Sequence, residues 1–260
     1  MSHLLIFGLG YTASRIAAEL RRRGWVVEAT GSAGDLNFRD GAAVRDALTR
    51  ASHVLSSAPP ADGLEDGADP VLGRYGTDLT QEWVGYLSST GVYGDAGGAW
   101  VDETAEIGTG RRTARAEADG KWLERGARVF RLPGIYGPER NALTRVQAGR
   151  ANRIDLPGQV FSRVHVDDIV SGVIAGLAAP AGAYNLSDDL PASQNSVIEE
   201  ACALLGRNPP PLLTLEEAKL SPMARGFYGE NRRVANGKAR RVLGWRPAYP
   251  DFKVGLRNLL

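Results

Sequence analysis

The chain has 260 residues, with 31 basic against 30 acidic side chains and a net charge of +1. So even a balance argues against a nucleic-acid or membrane-surface partner, and a single cysteine excludes an intrachain disulfide framework. No apolar run approaches the ~18 residues of a membrane span, and a strand opens the chain where a signal peptide would lie, so a cytoplasmic location is expected.

The first apolar run is Leu4-Leu5-Ile6-Phe7, followed by Gly8-Leu9-Gly10-Tyr11-Thr12-Ala13. A helical pattern then runs from Ser14 to Arg23, with Ala13, Ile16, Ala17 and Leu20 on one apolar face. Arg21, Arg22 and Arg23 fall in its last turn, where cations complement the helix dipole, and Gly24 ends it. Trp25 to Thr30 reads as a second strand. A G-x-G-x-x-A turn between strand and helix is a dinucleotide-binding fingerprint. Gly8 serves the tight turn, Gly10 lets backbone approach a pyrophosphate, and Ala13 lets helix pack close to strand. Tyr11 and Thr12 complete the helix N-terminus that faces the anion. Ser32 follows the second strand, and no carboxylate appears there before Asp35. An acid at that position holds the ribose hydroxyls of NAD. Its absence favours NADP over NAD, although no arginine stands there to meet a 2′-phosphate.

Farther along, Asp35-Leu36-Asn37-Phe38 reads as a third strand and Asp40 to Ala51 as a helix. Only about four residues then separate strands two and three, where a parallel crossover needs about a dozen. Either a helix has been lost or that strand is misassigned. His53 to Ser57 is a strand ending in Ala58-Pro59-Pro60, which places Ser57, Ala58 and Pro59 at the ligand-binding carboxyl edge. Trp83 to Ser88, Ala127 to Leu132 and Val164 to Val166 read as further strands, with Asp167 as N-cap of a helix from Asp168 to Ala178. Strands alternating with helices predict an α/β fold, a Rossmann-type, doubly wound parallel sheet.

The stretch Tyr86-Leu87-Ser88-Ser89-Thr90-Gly91-Val92-Tyr93-Gly94-Asp95 resembles the serine-bearing strand end of extended short-chain dehydrogenases/reductases, the class of nucleotide-sugar epimerases and dehydratases. Phe130-Arg131-Leu132-Pro133-Gly134-Ile135-Tyr136-Gly137-Pro138 is similar to their nicotinamide loop. Val164 to Asp168, Tyr184 to Asp189 and Leu243-Gly244-Trp245-Arg246-Pro247 match further segments in order, so the resemblance covers essentially the whole chain. It implies NAD or NADP as cofactor, with Ser88, Pro133 and Ile135 lining its site. It also implies a dinucleotide-binding domain of residues 1–137 plus 160–182. A smaller substrate lobe of 138–159 plus 183–260 would leave the ligand between them.

One departure bears on mechanism. Family members carry Tyr-x-x-x-Lys on the helix after the serine strand, where Lys lowers the phenol's pKa for proton exchange with substrate. Here no tyrosine occurs between Gly94 and Ile135. Alignment on Ala118, Asp119 and Trp122 puts Arg111 and Arg115 at the two positions; a shifted register puts Thr109 and Thr113 there. An arginine cannot shuttle protons, but it clamps carboxylates and phosphates; an exposed helical arginine is the alternative. The Tyr249-x-x-x-Lys253 near the end contains Pro250 and lies far past the catalytic helix. Ser89 matches the family's catalytic serine, or else bonds local backbone at a strand end. Tyr93 is the candidate substitute proton donor.

His165 precedes Asp167 and Asp168, yet the other histidines, His3 and His53, open separate strands, so no metal site is expected. His165 and Tyr136 are instead assigned to the substrate side. From Pro222 to Arg246 seven basic residues face a single Glu230. Arg232 and Arg233 are the candidates there for an anionic small-molecule substrate; a solvated helix face is the competing reading. Two functions remain open: an oxidoreductase or epimerase/dehydratase-like enzyme on a carbonyl or alcohol, and a dinucleotide-binding regulator without turnover. A nucleic-acid binder using the basic tail is disfavoured by the neutral net charge.

Overall fold

The computed structural model describes residues 2–60, 69–110 and 113–260. The chain begins with β1 (His3–Phe7), α1 (Tyr11–Arg22), β2 (Val26–Ala29), α2 (Gly41–Arg50), β3 (His53–Ser56), α3 (Pro70–Tyr75) and β4 (Trp83–Ser89). Then follow β5 (Trp100–Val101), α4 (Thr113–Glu124), β6 (Arg128–Leu132), β7 (Gly134–Tyr136), α5 (Ala142–Gln147), β8 (Arg153–Ile154), β9 (Arg163–His165), α6 (Val166–Ala175) and β10 (Gly182–Asn185). The last elements are α7 (Gln194–Leu204), β11 (Leu212–Leu213), α8 (Pro222–Phe227), β12 (Arg233–Val234), α9 (Gly237–Val242) and α10 (Phe252–Arg257).

The central sheet among the described residues has the order β10–β6–β4–β3–β1–β2, every pairing parallel. Successive side chains leave a strand on opposite faces. Leu4 and Ile6 therefore join α1 and α6 in one core, while Leu5 and Phe7 join α2 and α4 in the other. Burial on both faces is why β1 reads as an unbroken apolar run. The direction of strand addition reverses between β1 and β3. That switch point opens a crevice at the carboxyl ends, beside the glycine turn.

Two local expectations are corrected. Residues 35–38 are not a strand: a single bridge joins Thr30 to Leu36, and α2 then leads straight to β3. α2 is the crossover between β2 and β3. Leu36 and Phe38 are apolar because they pack on the α2-side core, Phe38 edge-on to Phe7 and Tyr75. The N-cap of α6 is His165, whose Nδ1 accepts the Asp167 N–H at 3.2 Å, and not Asp167 itself.

A separate apolar cluster joins Leu143 and Val146 of α5, Ile198 and Cys202 of α7, and Phe252 and Leu256 of α10. This cluster is separate from the two sheet cores and falls in the segments expected to form the smaller lobe. β10 lies in the main sheet, and Ala239 and Trp245 pack into its core, although the expected boundaries put them in the lobe. Trp245 Nε1 donates to the Asp168 carbonyl at 3.1 Å, and the Asp168 carboxylate accepts the Ala248 and Tyr249 N–H groups at 2.6 and 3.1 Å. The Val164–Asp168 and Leu243–Pro247 motifs thus form one joint, fixing the C-terminal segment to α6.

Candidate active site at the carboxyl edge of the sheet

Gly8 has φ +90°, and a Cβ there would lie 3.2 Å from the Ala58 nitrogen. The Gly8 and Leu9 N–H groups donate to the Thr30 Oγ1 and carbonyl at 3.2 and 2.8 Å. The ends of β1, β2 and β3 therefore converge on one tight turn, with Ser57 and Ala58 at its side. Gly10 is the N-cap of α1, contributes no capping side chain, and faces open space. The first amides of a helix have no intrahelical partner. Those of Tyr11, Thr12 and Ala13 thus present an accessible positive end, and the residues present fit a dinucleotide diphosphate. Thr12 and Ala13 are buried against the strand, while Ser32 and Pro59 are exposed at the rim. Asp35, the first carboxylate after β2, lies 3.7 Å from Arg21.

At the end of β4, successive side chains separate Ser88 from Ser89. Ser88 donates to Asp119 Oδ2 at 2.6 Å inside the protein. Asp119 is also the bidentate partner of Arg131, at 2.7 and 3.1 Å. Arg131 donates to the Tyr93 hydroxyl at 3.0 Å, and Tyr93 donates to Asn185 Oδ1 at 2.7 Å. Tyr93 is 3% exposed, and burial pushes its phenol up to about 12. Its hydroxyl is sealed within this network, which is not the placement of the proton donor expected from the sequence. Ser88 is likewise turned away from the cofactor side to which it was assigned. Ser89 faces the cleft, and its Oγ accepts the Gly91 N–H at 3.1 Å, which leaves its own proton to donate.

On α4, Arg115 donates to the Tyr86 hydroxyl at 2.9 Å, beneath a Tyr86–Trp122 ring stack. Arg111, the other position aligned with the missing pair, lies outside the described residues. In the shifted register, Thr109 Oγ1 donates to the Tyr93 carbonyl at 3.0 Å, and Thr113 is exposed. Tyr249 packs on His165, with ring centroids 4.0 Å apart, while Lys253 is exposed on α10.

A cleft of about 920 Å³ opens between the Ser89–Gly91 and Pro133–Tyr136 segments and the lobe. Ser89, Pro133, Ile135, Tyr136 and Arg232 all line it. Arg232 is braced by Glu230 at 3.0 Å and by the Gly94 carbonyl. Arg233, next along β12, points the other way, bonds the Gly98 carbonyl and does not line the cleft. His165 is also absent from the lining. It is wholly buried beside Tyr136 and Tyr249, and burial pushes its imidazole down towards the neutral form.

Sequence reasoning missed most of the cleft's charge. Arg140, Arg145, Arg150 and Arg163 line it along with Arg232, opposed by Glu139 and Glu230. Arg140 stands two residues beyond the Ile135–Pro138 motif, a position that signals it. Arg163 donates to the Phe161 and Ala192 carbonyls at 2.9 and 2.8 Å, and burial pushes it down to about 10. Beside it burial pushes Asp188 up to about 8, with neither carboxylate oxygen in a hydrogen bond of good geometry.

No protein-family model matches the chain. A functionally unknown conserved protein from Silicibacter pomeroyi is 39% identical, with a TM-score of 0.87 over 100% of this chain and 98% of that one. The human epimerase family protein SDR39U1, solved with NADPH, is 16% identical with a TM-score of 0.74, over 99% and 98% of the two chains. The dTDP-glucose 4,6-dehydratase of Bacillus anthracis, solved with NAD, is 16% identical with a TM-score of 0.77, over 100% and 95%. Among curated proteins, a 3-diazoavenalumate denitrifying reductase from Streptomyces sp. is 31% identical over 140 residues. That match spans 49% of this chain and 45% of the reductase, so less than half of the curated relative's length is covered. The fold is therefore that of the NAD(P)-dependent epimerase/dehydratase proteins, the extended short-chain dehydrogenases/reductases. The chain belongs to one family with the Silicibacter pomeroyi protein, to which it is similar from end to end. Among the described residues no helix is long and apolar enough to cross a membrane.

Proposed function

We propose that the protein is an NAD(P)-dependent oxidoreductase that reduces or oxidises a small anionic substrate in the arginine-lined cleft, without a Tyr-x-x-x-Lys pair. The observation that carries this reading is adjacency. An uncapped helix behind a glycine turn stands at the switch point, and the cleft floored by Ser89 opens beside Pro133 and Ile135. The resemblance to a reductase across 49% of the chain supports a redox reaction. The lack of a carboxylate at the end of β2 supports NADP.

When bound, the nicotinamide supplies or accepts the hydride. The chain's own residues then do the rest. Ser89 donates a hydrogen bond to a substrate oxygen, because its Oγ already accepts from Gly91, and the proton that balances the hydride is exchanged with water in the open cleft. The cleft's guanidiniums orient the substrate's anionic group and stabilise charge that builds on that oxygen. Tyr93 takes no part, since its hydroxyl is committed to Asn185 and Arg131.

The test begins with thermal shifts in NAD, NADH, NADP and NADPH. A dinucleotide at ~100 times its dissociation constant adds ~2.7 kcal/mol, roughly 5–10 °C for a chain of this size. Nicotinamide absorbance is then followed across a panel of carboxylate-bearing carbonyl and alcohol substrates. Turnover that falls at least ~10-fold in Ser89→Ala, the weight of one lost hydrogen bond, supports the enzyme. Tight binding with no turnover across the panel would instead assign a dinucleotide-binding regulator. That second reading draws on the sealed Tyr93 and the missing Tyr/Lys pair.

A further inference from the structure

Tyr11 is the first residue of α1, yet its side chain reaches the turn after β7, where the hydroxyl donates to the Pro138 carbonyl at 2.8 Å. Two guanidiniums pack on its ring, with the Cζ atoms of Arg15 and Arg140 4.0 and 4.3 Å from the centroid. Arg15 is held there by a 3.1 Å hydrogen bond to the Tyr11 carbonyl. Arg140 is held by a turn in which Gly137 and Arg140 exchange N–H···O bonds, both 3.1 Å. That turn sits so close that a Cβ on Gly137 would lie 2.8 Å from the Tyr11 hydroxyl oxygen.

The electrostatics of this cluster are incomplete. Both cations gather at the N-terminal, positive end of α1, where a helix dipole favours anions. Neither makes an ion pair with a carboxylate among the described residues. Glu139 and Asp167 are the acidic groups acting on Tyr11, and Asp167 lies 3.6 Å from His165 Nδ1. The turn from Gly8 to Ala13 carries no charge of its own. A multiply charged anion at the first turn of α1 relieves both repulsions at once.

We propose that Arg15 and Arg140, seated on the ring of Tyr11, hold the diphosphate of the dinucleotide, giving the uncharged glycine turn a cationic clasp. The proposal rests on the dinucleotide reading above and adds two residues that lie outside the glycine fingerprint. Arg140 also lines the cleft, so the clasp spans the boundary between the cofactor and substrate sides.

Equilibrium titration of NADH and NADPH, followed by nicotinamide fluorescence, tests this without any substrate. A charge-assisted hydrogen bond is worth enough that Arg15→Ala and Arg140→Ala should each weaken binding roughly 10-fold or more. Binding in both variants should also fall less steeply with added salt. Arg140→Lys should recover part of the loss, because charge persists while the planar stack is gone. Arg22→Ala, at the far end of the same helix, removes an equal charge and should bind like the wild type. Melting temperatures of the unliganded variants separate a lost contact from a lost fold. Wild-type affinity in both alanine variants would overturn the clasp while leaving the dinucleotide site intact. If the wild-type protein binds neither dinucleotide, the underlying reading falls, and the clasp with it.

Discussion

Arg131 and Arg163 are both buried, each with an aspartate beside it, and the fold treats the two pairs in opposite ways. Arg131 makes a bidentate bond to Asp119, and the remaining valences run through Tyr93 to Asn185 and through Asp119 to Ser88. Every group in that network has a partner. The ion pair links α4 to β6, and its neighbours tie in β4 and β10, just below the Ser89 turn. Arg163 instead gives its N–H groups to the Phe161 and Ala192 carbonyls, and the Asp188 carboxylate is left without a hydrogen-bonded side-chain partner. A satisfied buried pair acts as a brace, whereas an unsatisfied carboxylate in low dielectric holds its proton. Support for the site thus comes from the Rossmann side, and titration near neutral pH comes from the lobe side.

The largest effect should follow from breaking the brace. Asp119→Ala leaves Arg131 buried and unpaired, which costs about 3–5 kcal/mol. For a chain of this length that is a fall of roughly 6–20 °C in melting temperature. A loss below ~1 kcal/mol would show that Arg131 finds another partner and that the contrast with Arg163 is false.

The lobe pair should show itself through pH. Asp188 has a folded pKa of about 8, above the ordinary 3.8, so the folded state keeps a proton that the unfolded chain gives up. Stability then falls as pH rises through the window between those values, and levels off above about 8. Asp168, pushed up to about 6 by burial, acts in the same sense at lower pH, so urea midpoints are best compared from pH 7 to 9. Asp188→Asn should lose less stability than wild type across that range. Parallel curves would mean that Arg163 keeps Asp188 ionised.

Smallest of the three, Tyr93→Phe removes one hydroxyl from the satisfied network and should cost about 1–3 kcal/mol. It should leave hydride transfer, once a substrate is found, within about 2-fold of wild type. A loss of several orders of magnitude would return Tyr93 to the role of proton donor.

The sheet, the glycine turn and the order of the later motifs were legible in the sequence, because each rests on local spacing. Gly8 and Gly10 stand where the turn demands them, and Ser89, Pro133, Ile135 and Tyr136 line the cleft. Readings failed where an apolar or basic residue had two possible partners. Leu36 and Phe38 suited a strand but cover a core, and Arg233 looked like its neighbour Arg232 until the strand turned it outward. Ser88 and Tyr93 carried the right chemistry in the right motif, yet Asp119, Arg131 and Asn185 draw them inward from 31 to 92 residues away.

By itself, then, the sequence determined the fold and the glycine turn, since backbone conformation and hydrophobic period act between residues a few positions apart. Tertiary structure alone decided which polar side chains face the cleft. That choice depends on which buried groups are within hydrogen-bonding reach. Partners such as Asp119 with Arg131, or Tyr11 with Arg140, meet only after strands and helices have packed.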